Sequence, residues 1–537
     1  MTTRKPLLAL TLTALLTACG GGGGGSGGGA VLPGVDTSAV PAADPGSALP
    51  ANWQNGTFMQ VFVRAYKDSD GDGHGDLKGL TAKLDYLKDL GVTGLWLMPV
   101  TASQDHDHGY AVADYRAIES AYGNLADLDE LLRQAHARGI GVILDYVMNH
   151  SAAQNPLFVN SSAAADNALR DWYVWSAGHP AGWSIYGSDP WHAAGSGWYF
   201  GAFWDQMPEF NLLNPAVVGY HQDNLRFWLN RGADGFRFDA VGNLVENGPT
   251  QWLNQPQNYA LMGGVRKLLA GYSQRYMVCE APDDPAGFGA ANACGSAFAF
   301  GHQNDIVAAA KGSSTAVKSV ANYFATGQGS NQGTLVSNHD SFAGDRLYDQ
   351  VGGNLAQYRL AAATYLLQPG IPFVYYGEEI GMAGGAGLSG DARLRTPMSW
   401  TGNAAGFTSG SPFRSVSANI GRFNVEAQAA DPASLLAFYK SLLALRKASA
   451  ALARGSYEVP VVEGSVLSFQ RKLDKQRALV VLNYGSTGTT VSLGGLPLNR
   501  ALASAWPGAD VVLNTGADGT ARFPASAQSV TVFTFAD

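Results

Sequence analysis

The sequence predicts an α/β protein: a (β/α)₈ (TIM) barrel with a subdomain inserted after the third strand, followed by a C-terminal all-β sandwich domain. Three observations point there. Short apolar, β-branched runs alternate with helix-period segments through most of the chain, as repeated βα units around a parallel sheet require. After Tyr146 a stretch of about seventy residues rich in Trp, Gly and Asn precedes the next good helix, far more than a barrel loop needs. From about Gly455 the pattern changes to short strands parted by Gly, Ser, Asn and Asp, the texture of a sandwich.

The candidate barrel strands are Phe58–Val63, Val92–Leu97, Gly141–Tyr146, Gly235–Asp239, Tyr276–Glu280, a weak run at Ala297–Phe300, Leu335–Ser337 and Pro372–Tyr376. Between them, Leu80–Leu90, Leu125–Arg138 and Pro215–Arg231 carry apolar residues at three- and four-residue spacing. The barrel is expected over residues 51–450, with the insert at about 150–213. A last helix should open at Asp431-Pro432, Asp as the cap and Pro in the first turn, with Leu435, Leu436, Tyr439, Leu442 and Leu443 on one face. The sandwich is expected over 455–537, with strands such as Ala478–Asn483, Thr490–Leu493 and Val530–Phe535.

The N-terminal end reads as an export signal. Arg4 and Lys5 precede an apolar run, Pro6–Leu16, too short to span a bilayer. Leu16-Thr17-Ala18-Cys19 resembles the bacterial lipoprotein processing box, so residues 1–18 are expected to be removed and Cys19 lipidated. Residues 19–50, rich in Gly, Pro, Ala and Ser, are expected to be a flexible tether. The expected location is the cell envelope, with the lipid anchor as the only membrane attachment. Cys279 and Cys294 remain in the mature chain, and either a disulfide or two separate core thiols fits. The net charge of -8 and the lack of a basic block argue against nucleic acid as a partner. A monomer is expected.

In a parallel barrel the reactive groups stand at the carboxyl ends of the strands. Four candidate strands end in charge: Asp145 with Asn149 and His150, Arg237 with Asp239, Glu280, and His339 with Asp340. So many acidic groups aimed at one mouth would repel each other unless a site used them. These four segments resemble the conserved regions of the α-amylase family, glycoside hydrolase family 13, in order, type and spacing. The resemblance extends through Gln368–Glu379 and Arg395–Trp400, and so over about residues 52–450.

The resemblance implies Asp239 as nucleophile, Glu280 as general acid/base and Asp340 as the third carboxylate, which holds the sugar. It further implies substrate contacts from Asp107, Tyr110, His150, Arg237, His339 and Arg395, Tyr110 stacking beneath the sugar. Ala111 stands where many members carry Asp, which leaves the support of that loop open. Arg237, two residues before Asp239 and so on the same face of its strand, is placed to keep the nucleophile ionised. Glu280 needs a raised pKa, from burial or a neighbouring negative charge such as that of Asp340.

Asp68, Asp70, Asp72, His74 and Asp76 alternate with Ser and Gly after the first strand, a spacing that wraps a hard cation. It is similar to the Ca²⁺ loop of the oligo-1,6-glucosidase branch, with His74 contributing its carbonyl. Met207-Pro-Glu-Phe-Asn211 resembles the fifth conserved region of branches between oligo-1,6-glucosidases and neopullulanases, and Ala240 resembles enzymes acting on α-1,4 links. The expected activity is therefore α-amylase-type hydrolysis of α-glucans or maltooligosaccharides. The alternatives are an α-glucosidase or oligo-1,6-glucosidase, a trehalose-synthase-like transglycosylase, and a catalytically dead glycan-binding protein.

Overall fold

The computed structural model describes residues 34–326 and 329–536. The signal segment, Cys19 and the Gly run lie outside the described residues.

Seven parallel strands form the barrel wall: β1 (Phe58–Val61), β2 (Gly94–Leu97), β3 (Gly141–Tyr146), β4 (Gly235–Phe238), β5 (Tyr276–Cys279), β6 (Gly333–Thr334) and β7 (Ile371–Tyr375). Their order round the wall is β5-β4-β3-β2-β1-β7-β6. The gap between β5 and β6 is closed by single parallel bridges, Cys279 to Ala297 and Phe298 to Gly333. The weak eighth segment of the sequence is thus reduced to those two contacts. β6 lies two residues before the expected Leu335–Ser337, which instead runs without ladder pairing towards the barrel mouth.

Steric detail at the strand starts fixes the wall. Gly235 has φ 145°, and a Cβ there would stand 1.6 Å from the carbonyl oxygen of Tyr276, so β4 and β5 can approach only with glycine at that position. Phe58, Trp96, Ile143, Val278, Phe298 and Phe373 fill part of the interior. The register places Asp145 opposite Arg237 and Phe238 opposite Cys279, which brings the next pair, Asp239 and Glu280, abreast.

The insert contains a helix at Pro156–Ser162 and a three-stranded antiparallel sheet of Trp175–Ser176, Gly197–Phe200 and Trp191–Ala194. The C-terminal domain is a six-stranded antiparallel sheet covered by a two-stranded ribbon, Thr489–Leu493 with Ala521–Ala525, around a core that includes Leu479, Val481, Phe523 and Phe533.

The structure departs from the sequence expectation at two places. The last barrel helix is Leu435–Ala448, capped by Ser434, whose hydroxyl accepts from the Ala437 amide at 3.1 Å. Asp431 instead holds the turn before it, accepting from the Ala433 amide. Residues 34–50 are not a free tether. Val35 and Leu49 are buried, Asp36 pairs with Arg116 at 3.1 Å, and the amides of Val40 and Ala43 donate to Asp223 and Asn230 on helix Pro215–Asn230. Two backbone donors of this Pro- and Ala-rich segment, which makes no ladder of its own, are thus satisfied by side chains of that helix.

Candidate active site

The carboxyl ends of β3, β4 and β5 converge on one guanidinium. Arg237 donates to Asp145 Oδ1 at 2.7 Å and Asp239 Oδ1 at 2.8 Å, and its other terminal nitrogen lies 2.7 Å from Glu280 Oε2. Asp239 and Glu280 therefore face one cleft, held on the two arms of a single planar fork. Glu280 also accepts from the Ala240 amide at 3.0 Å. Ala240 has φ 45°, a left-handed turn that a non-glycine residue adopts at a cost of about 1–2 kcal/mol. That strain aims its N–H at the acid, as strained backbone at functional sites commonly does.

Asp145 lies beneath, accepting from Tyr110 Oη at 3.0 Å and Trp96 Nε1 at 3.1 Å. His339 is fully buried. Its Nδ1 is 2.6 Å from Gln60 Nε2, while its Nε2 is 3.0 Å from Asp340 and 2.5 Å from the Tyr110 hydroxyl. With both nitrogens taken and its ring stacked on Tyr110 at 5.5 Å, it positions Asp340, and does not reach the cleft as the resemblance implied. His150 does line the cleft, and its buried Nε2 has no protein partner. Arg395 spans Asp340 at 2.6 Å and Asp391 at 3.1 Å.

Asp107 is set back from the wall and pairs with Arg414 at 2.6 Å, while Arg414 also donates to the Arg395 carbonyl. The loop that lacks an acid at Ala111 is held by Asp105, whose carboxylate accepts from the amides of Asp107, Gly109 and Ala111. The cleft has a volume of about 440 Å³, and Phe203, Trp204, Met207 and Phe342 complete its lining. Arg414, Asp391 and these aromatics belong to no motif legible in the sequence; the Trp-rich composition of the insert is the only signal for Phe203 and Trp204.

The electrostatics separate the two central acids. Burial pushes Glu280 up to about 7 against the pull of Arg237, with Asp239 and Asp340 adding their repulsion. Burial also raises Asp239, to about 6, while Arg237 and a hydrogen bond to Glu280 pull it back. Asp340 is held well below the usual carboxylate range although burial opposes this. Since burial keeps His339 neutral near pH 7, the charge responsible is that of Arg395, with His339 adding a hydrogen bond. The site thus holds one acid that keeps its proton near neutrality, one that gives it up first, and one permanently ionised.

In the acidic loop, carboxylate oxygens of Asp68, Asp70 and Asp76 lie within 4.8 Å of one another. Asp72 turns away to accept from the His74 amide, and the His74 ring stacks on Phe413. Asp68 and Asp76 already accept several N–H and O–H groups from the loop and its surroundings, which organises three oxygens in the way a hard dication uses.

A cleft with two such acids at adjacent barrel strand ends is that of a glycoside hydrolase. The model of the alpha amylase catalytic domain matches residues 60–455. Alpha-amylase 3 of Dictyoglomus thermophilum is 33% identical over 452 residues, covering 82% of this chain and 86% of the relative. Salivary alpha-glucosidase of Aedes aegypti is 32% identical over 518 residues, covering 83% and 88%. The crystal structure of an alpha-glucosyl transfer enzyme superposes with a TM-score of 0.76 at 27% identity, over 90% of this chain and 99% of that one. The chain belongs to the α-amylase family of glycoside hydrolases.

Proposed function

We propose that the protein is a retaining α-glucosidase that removes or transfers single glucosyl units from short α-glucosides, in place of the endo-acting α-amylase first expected. The observation that carries this is the charged end of a small cleft. Arg395, Asp340 and Asp391 form one ion network beside His150, and the part-exposed pair Asp107–Arg414 adjoins it. Such a dense set of donors and acceptors suits the free hydroxyls of a terminal sugar. The volume of about 440 Å³ also lies near the small end of ligand pockets, which span roughly 300–1,000 Å³. The likeness to a protein named alpha-glucosidase and to one titled a glucosyl transfer enzyme supports the same reading.

Glu280 protonates the leaving oxygen while Asp239 attacks the anomeric carbon from the other side, forming a glucosyl ester. Glu280, now a base, then takes a proton from water or an acceptor alcohol, which releases Asp239. Arg237 keeps Asp239 ionised and both groups in register. Rates on maltose, isomaltose and soluble starch test the specificity: glucose should be the first product throughout, with maltose favoured over starch. A rapid fall in starch viscosity with a spread of oligosaccharides would restore the endo reading.

A calcium ion among Asp68, Asp70 and Asp76 is proposed as a structural brace for the first loop, giving it charge compensation. Chelation with EDTA should then lower the melting temperature, and added Ca²⁺ should restore it. Export and anchoring through Cys19 are proposed from the sequence. The Cys279–Cys294 disulfide suits an oxidising compartment. Mass spectrometry of the mature N-terminus should find an acylated Cys19.

A further inference from the structure

Of the two central acids, Asp239 follows a strand with a neighbour on each side and Glu280 follows one without. β4, which leads into Asp239, pairs over four residues with β3 and over four with β5. β5, which leads into Glu280, has a ladder on that one side only. On its other side two hydrogen bonds stand in for a strand: Cys279 N–H donates to the Ser296 carbonyl and Phe298 N–H to the Cys279 carbonyl, both at 3.0 Å. The general acid is thus the first residue beyond the weakest seam of the barrel wall.

A disulfide crosses that seam. Cys279 is bonded to Cys294, 15 residues on and just before Ser296, and both are buried. Side chains alternate along β5: Tyr276 and Val278 belong to the interior cluster with Phe58, whereas Met277 and Cys279 join the cluster that holds Met262 and Val265 of helix Pro256–Leu269. Glu280 therefore points into the cleft while the sulfur of the residue before it is fastened on the opposite face. The other holds on Glu280 do not replace this one. Arg237 and the Ala240 amide grip its carboxyl group, but both favour the ionised form, whereas the acid must carry a proton. Protonation weakens both contacts, so the place of the proton is set by the backbone of β5.

We infer that the Cys279–Cys294 disulfide is the positioning device of the general acid. It takes the place of the missing ladder on the free side of β5 and governs protonation of the leaving oxygen, while attack of Asp239 on C1 does not depend on it. This rests on the α-glucosidase reading above.

The test separates the two acids by leaving group. The bond from C1 to oxygen in maltose breaks with a proton from Glu280, whereas fluoride leaves α-glucosyl fluoride without one. For both substrates kcat/KM reports the steps up to the glucosyl ester. Cys294→Ala, which keeps Cys279 beside Glu280, should lower kcat/KM on maltose about tenfold, a part of the roughly 10²–10⁴-fold that a positioned acid contributes. On α-glucosyl fluoride the change should stay within about twofold, because the alignment of Asp239 with C1 is kept. The parent reduced with tris(carboxyethyl)phosphine, its free thiols counted, is the second measurement should the variant not fold: it should lose the same selectivity and recover it on reoxidation. An equal fall on both substrates, no fall on either, or loss of the fold in both forms overturns the positioning role alone. Failure of the parent itself to hydrolyse maltose and the fluoride overturns it together with the α-glucosidase reading.

Discussion

Two groups of carboxyls, one at the ends of β3, β4 and β5 and one where the insert meets the segment after β4, solve the same electrostatic problem in opposite ways. Asp145, Asp239 and Glu280 gather round the Arg237 guanidinium, so a cation offsets part of their charge. Glu209, in the insert, hydrogen-bonds to Glu246 in the segment after β4, and no Lys, Arg or His pairs with either among the described residues. Burial drives Glu209 up to about 7 and Glu246 well above its ordinary value, so a shared proton stands where the first group has Arg237. The first arrangement is poised for proton transfer, because its acids titrate close to neutrality beside the cleft. The second is a joint between insert and barrel, whose strength depends on pH.

The sharpest way to break the first arrangement is to remove its proton donor. Glu280→Gln should lower kcat on maltose by a factor of roughly 10²–10⁴ with folding intact, read by steady-state kinetics and circular dichroism. Next, Arg237→Lys keeps the charge but loses the fork. A point charge cannot hold Asp145, Asp239 and Glu280 at once, and kcat should fall on the order of 100-fold, as for loss of one preorganised donor.

A pH–rate profile should show a narrow bell. Activity requires Asp239 ionised, hence above about 6, and Glu280 protonated, hence below about 7. Because Asp145 raises Asp239 by repulsion, Asp145→Asn should move the acid limb to lower pH.

The smallest effect belongs to the second arrangement. Glu209 is raised from 4.5 to about 7 on folding, so the stability contributed by its proton is complete below pH 4.5 and is lost as pH climbs through 7. Glu246→Gln supplies a donor that does not titrate. Its melting temperature should match the parent's at pH 4.5 and exceed it by about 2 °C at pH 8.

The groups that end strands were legible because an acid at the tip of an apolar run is conspicuous. Asp145, Arg237, Asp239, Glu280 and Asp340 stand together as their strand positions require. What was not legible depends on partners distant in sequence. Asp107 and Arg414 are 307 residues apart, and nothing local to either announces the pair. His339 lies in a strand-end motif, yet only the approach of Gln60 and Tyr110 withdraws it from the cleft. The segment 34–50 reads as tether by composition, but its order comes from the side chains of helix Pro215–Asn230 and from Arg116. The displacement of the last cap from Asp431 to Ser434 is a local competition, in which the Asp side chain closes a turn first.

The central claim is that Asp239 and Glu280 work on opposite sides of one sugar carbon in two successive displacements. Proton NMR of the first turnovers on maltose, before the product anomers equilibrate, tests it most directly. The account requires newly released glucose in the α form; β-glucose as the initial product would contradict it.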